Sequence, residues 1–255
     1  LQAIRLAPED WGMRVLVAAN LARLGLKTAA LEQIETCPDS IRGDDSVAGL
    51  AAALGGLAED RVGIHTLEAT VFTNLRVLQR RGFDLTAHVP AWRAATQEWF
   101  RASDGNIIRR CGQDWVGLSD QRSAAAAFAR EPLSKPNPQV NFFTIEGIDP
   151  PWLLMELASR TARAKDGFWP RLLIVQADPV AFLNGLAHGD LRKLLEEDRT
   201  IPFVGPDATS RVLDELRGRF ASRLSGAYIP RTGPGASAAP PVPAILEQAE
   251  SEQLA

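Results

Sequence analysis

Three short apolar runs in this chain end on residue types that serve ligand binding. The stretch FFTIEGIDPPW, residues 142 to 152, ends its run on Glu146 and Gly147, then sets Asp149 and Trp152 where a helical pattern starts. RLLIVQAD ends on Gln176 and Asp178, and TIPFVGPD ends on Gly205 and Asp207. Carboxylates and amide oxygens accept hydrogen bonds from ligand hydroxyls. Glycines allow close approach to the backbone, and free N–H groups at a helix start attract anions. An indole at such a turn can stack on a sugar or a base. These eight residues are the candidate site, and its chemistry is the binding of a polar, hydroxyl-bearing donor or cofactor. No catalytic residue stands out.

The first turn limits which ligand that is. Pro150 and Pro151 each remove an N–H donor, and Asp149 adds negative charge where an anion would sit. A pyrophosphate is therefore disfavoured there, whereas S-adenosylmethionine, which carries no phosphate, is less so. Gln176 stands where a ribose-binding acid would be expected, and it offers only a neutral acceptor. Asp178, directly before Pro179, suits either a helix N-cap or a ligand contact, and Asp207 faces the same choice. Glu146, an acid ending an apolar strand, suits a ligand or a backbone amide.

The elements that must position these residues are strands and helices in alternation. The three runs are apolar throughout, are bounded by Gly, Pro or Asp, and are followed by helical patterns at 151–164, 179–197 and 207–223. Such alternation predicts βαβ units and a small parallel sheet with helices on both faces, a Rossmann-like, methyltransferase-like α/β fold. Right-handed crossovers make strand order 3-2-1 the default, so the three turns would share one rim. Three strands are few for such a sheet, and DGNIIRR, residues 104–110, is expected to supply an edge strand.

The front of the chain is helical. Trp11, Val15, Ala18, Ala19 and Ala22 recur at spacings of three and four, Gly25 interrupts, and Ala30, Leu31 and Ile34 form a second face before Pro38. Small alanines at a helix crossing, a Leu-Gly corner and a closing proline resemble a tetratricopeptide repeat. That resemblance implies an all-α TPR-like segment over 1–62 offering a surface to a protein partner. Leu67, Val71, Leu75 and Leu78 stripe a further amphipathic helix. Residues 63–139 then read as a helical, α+β connector, 140–228 as the Rossmann-like domain and 229–255 as a Pro/Ala-rich linker.

The formal net charge of −3 provides no positive field for nucleic acid, and no apolar run reaches membrane-spanning length. Neither partner is expected. Two cysteines, Cys37 and Cys111, suit free thiols in a reducing, cytoplasmic setting. His65, His88 and His188 show no ligand spacing, so no metal is expected. Both ends read as cut, which makes the chain a piece of a longer protein.

LLIVQADPVAFLNGL and DLRKLLEEDRTIPFVGPDA, within residues 140–220, resemble the MptE-like family, which includes the motility-associated accessory factors that glycosylate flagellin. Gln176 and Ala177 stand where that family has Glu-Pro, and GIDPPW replaces its Gly-x-Gly turn. The resemblance implies a Rossmann-like domain of a bacterial glycosyltransferase or glycan-modifying protein, with a nucleotide-sugar at the rim and a catalytic domain downstream. Two other readings stand beside it: a non-catalytic scaffold with a degenerate cofactor turn, and an S-adenosylmethionine-dependent methyltransferase-like domain.

Overall fold

The computed structural model describes residues 9–112, 114–130, 142–161, 169–219 and 226–229. Residues 131–141, which hold Pro132, Pro136 and Pro138 at the end of the expected connector, and almost all of the expected linker lie outside these residues. The chain divides into two compact units, one of residues 1–63 with 97–109 and one of residues 64–96 with 110–255.

In the first unit, α1 (Trp11–Arg23) packs on α2 (Lys27–Glu35). Asp10 starts α1 by accepting from the Met13 N–H at 2.9 Å, the N-cap role in which aspartate is favoured. The buried face of the pair is built from Val17, Ala18, Leu21, Ala29, Ala30 and Ile34. Gly25 makes the corner at φ 77°, and a Cβ there would stand 2.9 Å from the Ser103 nitrogen, so both the conformation and the space require glycine. Asp60 closes the start of α2. Its buried carboxylate accepts from the Thr28 N–H at 3.2 Å and the Thr28 hydroxyl at 2.5 Å. A four-residue helix, α3 (Asp39–Arg42), and α4 (Asp45–Gly55) follow. This is one packed helical pair followed by unlike pieces; a tetratricopeptide array needs a stack of like pairs.

DGNIIRR does form a strand, but not in the expected sheet. β1 (Glu98–Arg101), β2 (Ile107–Cys111) and β3 (Asp114–Val116) make a separate sheet in the order β1-β2-β3. Ala102 donates to the Asn106 carbonyl at 2.9 Å and closes the β1–β2 hairpin. The short hairpin satisfies β2 locally, so it is not an added edge of the parallel sheet.

The second unit begins with α5 (Ile64–Arg80), whose buried stripe is Leu67, Val71, Leu75 and Leu78, as the spacing predicts. A 3₁₀ turn (Thr86–His88), α6 (Val89–Ala94) and α7 (Ser119–Arg130) precede the main sheet. That sheet comprises β4 (Phe142–Glu146), β5 (Arg171–Gln176), β6 (Thr200–Val204) and β7 (Gly226–Ile229), in the order β6-β5-β4-β7. Each pairing is parallel, and the expected 3-2-1 arrangement of the first three holds. The fourth strand is β7, from a segment outside the three apolar runs.

The helices α8 (Trp152–Arg160), α9 (Pro179–Ala187), α10 (Arg192–Glu196) and α11 (Ala208–Arg219) flank the sheet. The register puts Phe142, Leu173, Val175 and Phe203 on one face, where they pack against Ala208, Val212 and Leu216 of α11. Phe143, Ile145, Leu172 and Ile174 alternate onto the other face and are also fully buried. Burial on both faces explains why these strands are continuously apolar rather than alternating.

Candidate functional site at the carboxyl rim

The ladder carries the strand ends to a common rim. Gly147 N–H donates to the Val175 carbonyl and Gly205 N–H to the Gln176 carbonyl, both at 2.9 Å. Pairing puts Glu146 beside Val175 and Gln176 beside Val204. The turns bearing all eight candidate residues thus open at the same edge. Their side chains do not all face a ligand.

The turn after β4 is packed onto its own protein. Gly147 leaves the strand at φ 76°, and the Asp149–Pro150 peptide is cis. Ile148 then lies on α9 at Gly185, where a Cβ would clash with the Ile148 carbonyl and approach its Cγ1 to 2.7 Å. Asp149 turns inward, with its Oδ1 3.0 Å from His188 Nε2, and both side chains are out of solvent, at 0% and 2% exposure. Trp152 is buried as well, so its indole fills core and offers no open stacking face. Pro151 precedes α8 with no side-chain cap, and the first turn of α8 carries no acid.

The other two turns are different in kind. Gln176 is 8% exposed, and its Oε1 is buried with no hydrogen-bond partner among the described residues. A buried amide oxygen left unpaired costs stability, so it marks a place where a donor would be welcome. Asp178 is exposed and caps α9, its Oδ1 accepting from the Val180 N–H at 2.9 Å. Asp207 is exposed at the start of α11, 3.7 Å from the Arg211 guanidinium. Gly205 turns at φ 120°, and Glu146 is half-buried and already engaged in a contact.

The rim therefore separates into a closed half and an open half. Asp149, Trp152 and Gly147 belong to the closed half, where the turn is spent on packing. The open half is exposed at Asp178 and Asp207, while Gln176 and Gly205 within it are buried, with half-buried Glu146 at the junction. The residues that close the first half, His188 and Gly185, were no part of the candidate set. A glycine inside the helical pattern VAFLNGLA does hint at close backbone approach. Nothing local links His188 to an aspartate 39 positions earlier.

Asn74 is a second long-range feature that the sequence does not reveal. Its Nδ2 donates to the carbonyls of Leu186 (2.9 Å) and Gly189 (2.8 Å), and its Oδ1 accepts from the Leu191 N–H (2.9 Å). It ties α5 to the break between α9 and α10. Among the described residues no group of three or more His, Cys, Asp or Glu side chains could hold a metal ion. None of their helices is long and apolar enough to cross a membrane.

The fold and rim define a mixed α/β protein with a small parallel sheet flanked by helices. No protein-family model matches the chain, and no curated protein or solved structure does either.

Proposed function

We propose that the second unit is a Rossmann-like binding module in which the cofactor turn has become a packing element, so that it serves a glycan-modifying protein by placing a partner rather than by chemistry. The observation that carries this is the closed turn after β4. A pyrophosphate needs free N–H groups and open space at that turn. Here two prolines remove donors, Ile148 sits on Gly185, and Asp149 is held inward by His188. The resemblance to the MptE-like family supports the sugar-related setting.

Titration calorimetry and thermal-shift measurements with UDP-sugars, CMP-sugars and S-adenosylmethionine test this reading. The expected result is no saturable binding by the folded protein. Saturable binding of any of them would end it.

A second reading rests on Gln176. Its unpaired Oε1 suits a ligand hydroxyl, which favours a nucleotide-sugar bound through its sugar in the open half of the rim, oriented by Glu146 and Asp178. On that reading binding is seen, and Gln176→Leu weakens it about tenfold through loss of one buried hydrogen bond.

A further inference from the structure

Away from the rim, a groove of about 580 Å³ runs along β6 from the amino end of the sheet. Phe83, Ile201 and Phe203 form its apolar walls. The register places Ile201 and Phe203 on the face that α11 covers. Arg81 and Arg171 line the same space. Arg81 donates to the Leu195 carbonyl and lies 5.6 Å from the centre of the Phe83 ring. Burial pushes it below its ordinary value, and the Asp198 charge opposes that. Arg171, half-buried at the start of β5, makes no hydrogen bond or ion pair among the described residues.

The planar fork of a guanidinium fits a carboxylate in a two-point contact. Two acids also line the groove, exposed Asp198 and half-buried Glu215, and Glu215 is already engaged elsewhere. Against the two arginines they bring the formal charge of the lining to zero, so charge gives a bare phosphate dianion no net attraction, and the apolar walls favour an anion that carries an apolar body.

We propose that this groove binds an organic monocarboxylate with an apolar body, the carboxylate held by Arg171 and Arg81 and the body lying against Phe83, Ile201 and Phe203. The site does not depend on the function proposed for the rim.

Calorimetry on the whole chain with phenylbutyrate, phenylbutylamine and inorganic phosphate tests it. Phenylbutyrate is expected to bind, while the amine and phosphate do not measurably. Arg171→Gln is expected to weaken phenylbutyrate about tenfold with the melting temperature unchanged. Asp198→Asn, an exposed change that should not disturb folding, is expected to tighten binding about threefold by removing a like charge. The proposal is overturned if phenylbutyrate does not bind, if the amine or phosphate binds equally, or if Asp198→Asn leaves the affinity unchanged or lower.

Discussion

At the level of single residues, the most consequential pair is Asp149 and His188. Both side chains are inside the protein and 3.0 Å apart, so removing either takes a polar partner from the other. His188→Ala is expected to cost about 2 kcal/mol in urea unfolding, within the range for removing one partner of a buried hydrogen bond. Gly185→Ala is expected to cost about 2 kcal/mol, because the new methyl group must displace Ile148. Asp190 is a residue of the opposite kind, at the surface. Hydrogen bonds from the Arg192 side chain and backbone hold its carboxyl at about 2, against an ordinary 3.8. A depressed carboxylate contributes stability at pH values above its unfolded value, and that contribution disappears as the pH falls through about 2. Arg192→Gln is expected to move the Asp190 carboxyl upward in an NMR pH titration. The effect on stability should be small, since the pair is in solvent.

At the level of elements, much of the layout is written in periodicity. The α5 stripe, the hairpin corner at Gly25 and the three all-apolar strands each follow from spacing and turn chemistry that act over a few residues. Where the periodic reading departs from the fold, a distant side chain is responsible. Residues 179–197 read as one helix, yet α9 ends at Ala187 and α10 begins at Arg192. Asn74 bonds one backbone group in the last turn of α9 and two in the interval, and stabilises the break. Asn74→Ala leaves those groups unsatisfied inside the protein and is expected to cost about 3 kcal/mol in denaturant unfolding. Asp178→Ala is expected to cost about 1 kcal/mol through loss of the α9 cap. Its role was ambiguous in sequence because a cap and a ligand contact use the same residue type in the same place.

At the level of the molecule, the parallel sheet is bounded on one side by β6. Bonds from Arg199 and Gly205 to β5 put the alternate positions Thr200, Pro202 and Val204 outward along that edge. Pro202 is buried, and proline there leaves no N–H donor unpaired at the edge. Pro202→Val restores that donor inside the protein and is expected to cost about 1 kcal/mol in denaturant unfolding. Four-residue β7 completes the other side, and GAYI is too short and too mixed to be told from a loop by its pattern.

Apolar periodicity and turn residues were enough to determine three of the four parallel strands, the order of those three and the common edge on which their turns open, because those signals are local and strand crossovers have a preferred hand. Only the tertiary structure decided which turns remain open to a ligand. The contact between Ile148 and Gly185 and the pairing of Asp149 with His188 join residues dozens of positions apart, and local sequence carries no more of that packing than the hint of a glycine within a helix.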